Sequence, residues 1–218
     1  MAKALKIGFV LDDTLDSTDG VQQYVLTVGQ WLERQGHEVH YLCGQSTRRD
    51  IRVHSLSRNV RVRFNGNRLS VPLPAKRQLI SQLLDSQKFD VLHIQMPYSP
   101  WLAGRVIKLA DNDKHQTALI ATFHVAPSGN LARIGAKLLA AWTTSTSHEL
   151  DTILAVSPVA ADFVRRDFGL DYTVLANSFE LKRFLSVKKS LAKSTKNNQL
   201  TLLFLGRLVP RKGCQYLL

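Results

Sequence analysis

Short apolar runs that stop abruptly at polar residues, each followed by a stretch of helical spacing, constrain this chain more than anything else in it. Leu5 to Leu11 is nearly continuous apolar sequence and ends at Asp12-Asp13, as a strand buried on both faces should. Gly20 to Gln35 then places Val21, Tyr24, Val25, Val28, Trp31 and Leu32 at helical intervals, and Gly36 marks a stop. Glu38 to Cys43 is a second strand, Asp90 to Gln95 a third and Leu119 to Phe123 a fourth, the last ending at His124. Thr152 to Val156 and Tyr172 to Ala176 continue the series. Helices are predicted over Arg77–Ser86, Leu102–Ala110 and Leu131–Leu150. A further helix runs to Phe168, with Ser157 as its N-cap and Pro158 in its first turn. Residues 44–77 read as irregular and basic, with a turn at Asn65-Gly66 and short β segments such as Val60–Phe64. Repeated crossovers of this kind predict an α/β fold, a doubly wound parallel sheet with helices on both faces. Functional residues in such a sheet gather beyond the carboxyl ends of its strands.

The last residues form a unit of their own. Leu200 to Leu205 reads as an apolar strand, followed by Gly206-Arg207, a turn through Pro210, and Arg211-Lys212-Gly213. Glycine admits close backbone approach, and Arg and Lys supply charge, so this stretch suits a phosphate. The division expected is a first domain over 1–183, a basic linker over 184–199, and the opening strand and turn of a second, truncated domain over 200–218.

Charge narrows the partner. The 218 residues carry a net charge of +12, which suits an anionic partner: nucleic acid, an acidic membrane surface or a phosphorylated substrate. Nine Lys and Arg fall between Arg48 and Arg77 against one acid, Asp50, and six between Lys182 and Lys196 against none. Solvated loops account for such runs as well as a binding surface does. Neither run interleaves aromatics for base stacking, and no RNA-binding aromatic motif is present, so nucleic acid is not the partner expected. The two cysteines are far apart, which points to a reducing compartment. The N-terminus runs directly into a strand, with no secretory pattern, and no apolar run is long enough to span a bilayer.

Four groups follow predicted strands and are candidates for chemistry. Asp12, Asp13, Asp16 and Asp19-Gly20-Val21-Gln22 follow the first; a glycine opening a helix there can offer backbone N–H groups and the helix's positive end to a phosphate. The three spaced glycines of a dinucleotide site are absent, so no nicotinamide or flavin is indicated. His93 falls inside its strand and reads as a core histidine; His124 stands at a strand tip, where a ligand would be. Asn177-Ser178 reads as a turn. The histidines and cysteines show no metal-ligand spacing, and the Gly-x-Ser-x-Gly turn of a hydrolase is missing.

Taken in order, these pieces resemble the glycosyltransferase family 4 enzymes, whose GT-B fold pairs two Rossmann-like domains. The resemblance runs through Lys6–Val10, Asp19-Gly20-Val21-Gln22, Gly36–Val39, Phe89–Ile94 with Pro97, Ala121–His124, Ala155-Val156-Ser157, Ala176-Asn177-Ser178, Leu205-Gly206-Arg207 and Pro210–Gly213. Within the family the order looks most like that of the phosphatidylinositol mannosyltransferases. This implies a retaining hexosyltransferase that needs no metal or resident cofactor and uses a nucleotide-diphosphate sugar of mannose or glucose type. The acceptor would be a lipid or glycan hydroxyl, met in the cytoplasm or at the inner face of the membrane. The resemblance places Gly20, Arg207 and Lys212 on the donor diphosphate, the two cations stabilising the leaving group. It places His124 on the donor sugar, and Asp16, Gln22 and Arg68 beside the acceptor. Lys76 and Arg77 would touch an anionic membrane. The chain departs from the pattern at Asp19, where a second glycine is usual, at Ser178, and at Gln95-Met96, where mannosyltransferases carry an acid. It does not contain the family's pair of sugar-binding glutamates. Without that half, a non-catalytic module for acceptor or membrane is the alternative.

Overall fold

The computed structural model describes residues 3–64, 67–97, 99–110, 116–124, 143, 146–181, 185, 202–206, 208 and 212–217. The chain divides into two compact units, Met1–Val62 with Ser70–Phe179, and Arg63–Leu69 with Glu180–Leu218.

The first unit is built on a seven-stranded sheet. Its strands are β1 (Lys6–Leu11), β2 (Glu38–Cys43), β3 (Val53–Ser55), β6 (Val91–Gln95), β7 (Ala118–Phe123), β8 (Thr152–Ala155) and β9 (Thr173–Val174). They are ordered β3-β2-β1-β6-β7-β8-β9, and every pairing is parallel. The chain winds outward from β1 through β2 to β3, then returns to β6 on the other side of β1 and winds away again. That reversal is the mark of a doubly wound, Rossmann-like sheet, and it opens a crevice beyond the carboxyl ends of β1 and β6.

Both faces of the sheet are covered. Ile7, Phe9 and Leu11 of β1 pack with Val39 and Tyr41 of β2 and with Tyr24 and Val25 of α1 (Gly20–Arg34). Val10, Leu42, Leu92 and Ile94 point the other way, onto Ile80 and Leu84 of α2 (Arg77–Gln87) and Val106 and Ile107 of α3 (Ala103–Ala110). This two-sided burial is why the strands read as unbroken apolar runs rather than alternating ones. At Ser157 the side-chain oxygen accepts from the Ala160 N–H at 3.2 Å and starts α4 (Pro158–Phe163), as its sequence predicts.

Several expectations need correction. The helix predicted to Phe168 is α-helical only to Phe163 and continues as a π-helical turn over Val164–Phe168, closed by Gly169 at φ 66°. The wider turn brings Phe168 onto the face of Phe163 (ring centroids 5.4 Å apart), and both rings pack on Phe123 of β7; aromatic packing overrides helical propensity here. The strand expected over Tyr172–Ala176 shortens to Thr173–Val174, because it is an edge strand with β8 as its neighbour. Residues 44–77 hold more β structure than their composition suggests: β3, and the separate two-stranded sheet of β4 (Asn59–Phe64) and β5 (Asn67–Pro72).

In the second unit, residues 202–205 form no strand, against expectation. Leu203 is 87% and Leu205 94% exposed, and a strand without a ladder partner among the described residues has nothing to hold it extended. A short 3₁₀ turn over Cys214–Tyr216 follows Gly213, which sits at φ 73°. The linker expected over 184–199, Leu185 excepted, and most of the helix expected over 131–150 lie outside the described residues.

Candidate active site

Four of the site residues singled out above, Asp16, Gly20, Gln22 and His124, follow strands at the carboxyl end of the sheet, where β1 and β6 open a crevice. β1 delivers Asp12, whose Oδ1 accepts from the backbone N–H of Ala103 at 2.8 Å. That bond fastens the end of β1 to the start of α3 across 91 positions of sequence. Its other oxygen, Oδ2, is buried with no hydrogen-bond partner among the described residues. Burial pushes the Asp12 carboxyl up from 3.8 to about 7, against the opposing pull of the Ala103 and Leu102 amides.

The loop from β1 to α1 is anchored by buried Leu15 and by Gln22, whose Nε2 donates to the Thr14 carbonyl at 3.1 Å. Gln22 is 2% exposed, so its amide holds the loop from inside. Asp16 reaches the segment after β2. It accepts from the Ser46 hydroxyl at 2.6 Å and from the Thr47 backbone and hydroxyl at 3.0–3.1 Å. Burial alone would raise its carboxyl, but these bonds hold it below the ordinary value.

α1 opens with no side-chain cap and no acid in its first turn. Asp19 instead takes the Ser17 hydroxyl on its carboxylate at 3.3 Å. Among the described residues a Cβ added at Gly20 would meet no atom within 4 Å, so the start of the helix is open to them on that side. Uncapped N–H groups at the positive end of a 15-residue helix are a ready anion site.

His124 stands at the tip of β7 with Nε2 2.8 Å from Gln95 Oε1. The polarity of that bond follows from its neighbour. Gln95 Nε2 donates to the His93 carbonyl at 3.2 Å, and a carbonyl can only accept. The Gln95 oxygen therefore faces His124, and His124 must carry its proton on Nε2. Nδ1 is left as an acceptor, suited to a hydroxyl donor. Burial lowers His124 to about 4, so the imidazole is neutral at ordinary pH and a poor proton acceptor. Tyr24 packs edge-on against it with ring centroids 4.9 Å apart. His93 is a core histidine, as its position inside the strand predicts. It is buried, it lies 2.7 Å from the Thr122 hydroxyl, and burial followed by the nearness of His124 lowers it to about 4.

Lys76 and Arg77 are exposed at the start of α2. Arg68 lies in β5. Lys212, in the second unit, is exposed, and Arg207 lies outside the described residues. Asp12, a candidate from its place after the first strand but given no role, holds the site together with Tyr24 and Gln95, which were not named as site residues. The one signal for Asp12 and Gln95 was a polar side chain at the last turn of an apolar run. Among the described residues no helix is long and apolar enough to cross a membrane, and no group of three His, Cys, Asp or Glu is placed to hold a metal ion.

A doubly wound sheet with an open helix start at its switch point defines a Rossmann-like domain of the kind that handles phosphorylated ligands. Residues 18–183 match the family model for Glycosyltransferase Family 4, and the chain belongs to that family. It is 29% identical over 225 residues to a phosphatidyl-myo-inositol mannosyltransferase of Propionibacterium freudenreichii, covering 98% of this chain and 56% of the relative. The enzyme of the same description from Mycobacterium tuberculosis is 26% identical over 218 residues, covering 98% and 55%. The chain thus spans about half the length of the curated relatives it matches. Among solved structures, a glycosyltransferase from Rickettsia africae superposes with a TM-score of 0.57 at 16% identity, covering 84% of this chain and 45% of that one. An α-glucosyltransferase bound to UDP-glucose and DNA gives 0.53 at 15%, covering 85% and 46%. At such identities these two show the fold alone.

Proposed function

We propose that this chain is the acceptor-side part of a retaining, metal-independent glycosyltransferase. It moves a hexose of mannose or glucose type from a nucleotide-diphosphate sugar to a lipid or glycan hydroxyl. The observation that carries the reading is the pairing, at one crevice, of an uncapped α1 start that is open at Gly20 with a neutral His124 fixed by Gln95.

In this reading the donor diphosphate lies along the start of α1, against Gly20, and Arg207 and Lys212 hold it from the second domain. The positive helix end and the two cations stabilise charge as the bond from C1 to the diphosphate oxygen breaks. His124 Nδ1 accepts from a hydroxyl of the sugar and orients it. With an imidazole held near 4, His124 is a positioning contact and not the base. The acceptor oxygen bonds to C1 on the face the diphosphate leaves, and its proton passes to the departing diphosphate oxygen. Asp16, Gln22 and Arg68 border the acceptor, and Lys76 and Arg77 touch an anionic membrane at the cytoplasmic face.

The test uses the product of the whole gene. Supplied with a panel of labelled nucleotide-diphosphate sugars and with vesicles containing phosphatidylinositol, it is expected to transfer label to lipid, undiminished by EDTA. The anomeric proton of the product is expected to show the donor's configuration. An inverted product, or transfer abolished by EDTA, overturns the retaining, metal-free mechanism.

A further inference from the structure

A second feature of the first unit is lined by none of the residues given a role in the transfer except Arg77, named as a membrane contact. Between the starts of α2 and α3 is a cavity of about 190 Å³, several times the ~30 Å³ share of one water. Arg77 lines it from α2, Arg105 and Lys108 line it from α3, and buried Thr143 and Thr146 line it from a third side. No acid is among these residues, and none of the three cations forms an ion pair among the described residues.

Two of the three charges sit where helices disfavour them, while Lys108 lies in the last turn of α3, where a cation is favoured. Cations destabilise the positive end of a helix. Yet Arg77 is the first residue of α2, Arg105 lies in the first turn of α3, and neither first turn holds an acid. Lys108 follows Arg105 by three positions, so two like charges share one helix face. Arg105 is also fixed in place, since its guanidinium donates to the Ala75 carbonyl just ahead of α2. Three converging, unopposed cations, one of them pre-positioned, around a concavity open between two helix starts form a site short of an anion.

We propose that this cavity binds a phosphoryl group, carried either on a lipid headgroup or on a soluble phosphate ester. Arg105 and Lys108 supply charge-assisted bonds and Arg77 closes the site from α2. The inference shares Arg77 with the membrane-contact reading and rests on it there, whereas Lys108 belongs to the cavity alone; sugar transfer is measured separately, so failure here leaves that reading standing.

The test uses the 218-residue chain, with Arg77→Gln and Lys108→Gln, both exposed positions, as variants; Arg105 is left alone because it braces Ala75. Inorganic phosphate is titrated against sodium chloride at matched ionic strength while the melting temperature is followed. Phosphate is expected to raise the wild-type Tm beyond chloride, with affinity roughly tenfold weaker in each variant. In a second arm, co-sedimentation is measured with phosphatidylcholine vesicles, with and without phosphatidic acid. Binding of free phosphate without vesicle capture supports the proposal with a soluble ester as the source. Vesicle capture that Lys108→Gln loses supports it with a headgroup as the source. Equal responses to phosphate and chloride, together with variants that sediment like the wild type, overturn it.

Discussion

Replacing His124 with alanine is expected to lower sugar transfer by about 10²- to 10³-fold, the usual loss when one well-placed hydrogen-bonding group is removed from a transition state. The loss should fall mainly on kcat, because the contact orients the reacting sugar and leaves the acceptor untouched. Part of the effect reaches the fold. Gln95 Oε1 accepts from His124 Nε2 at 2.8 Å, and stripping away that donor costs about 1–3 kcal/mol of stability. The melting temperature of the variant must therefore be read beside its rate. The pH profile separates positioning from base catalysis. With His124 lowered to about 4 by burial, the wild-type rate should show no inflection from this group between pH 6 and 9. A limb near 6.5 that disappears in His124→Ala would make the imidazole a titrating base instead.

The second large effect is on stability. Asp12 is raised from 3.8 to about 7 by burial, so between those values the folded chain holds a proton that the unfolded chain has released. Its contribution is intact below the unfolded value and is lost as pH rises through about 7. At pH 8 the carboxylate is ionised and buried, with Oδ2 lacking a partner among the described residues. Asp12→Asn keeps an oxygen for the Ala103 N–H and removes the charge. It should stabilise the chain at pH 8 by a few kcal/mol, at about 1.4 kcal/mol per unit, and by little at pH 4. His93 and His124, both lowered from 6.5 to about 4, act the other way. Their contribution is present above 6.5 and lost as pH falls toward 4. Both proteins share that trend, so it cancels in the difference. Denaturant unfolding of wild type and Asp12→Asn at the two pH values checks the account. An equal destabilisation at both would mean that Asp12 is ionised and well bonded in the fold.

How far the chain could be read beforehand depended on how local each feature is. β1, β6 and β7 announce themselves because burial on both faces makes them continuous apolar runs, and the Ser157 cap is settled within four residues. His124 could be singled out because an apolar run simply stops there. β3 could not, since Val53-His54-Ser55 has neither length nor period and is a strand only because β2 pairs with it. The isolated apolar stretch at 202–205 failed for the converse reason: it has strand composition and no partner strand among the described residues. The bonds that make the site are further still from local sequence. Gln95 meets His124 across 29 positions and Asp12 meets Ala103 across 91. Only sheet order brings them together. A glutamine at 95 acquires its meaning there too, as a neutral carbonyl keeps the imidazole neutral where a carboxylate would favour its charged form.

The most direct test of the central claim, that the donor diphosphate runs along the open start of α1, is the initial rate of transfer by Gly20→Val in the product of the whole gene. A Cβ at this position meets no atom of the described residues within 4 Å, so the variant should melt with the wild type. With the diphosphate excluded from the helix start, it should transfer almost no sugar. Transfer by Gly20→Val at the wild-type rate would contradict the account and place the diphosphate elsewhere.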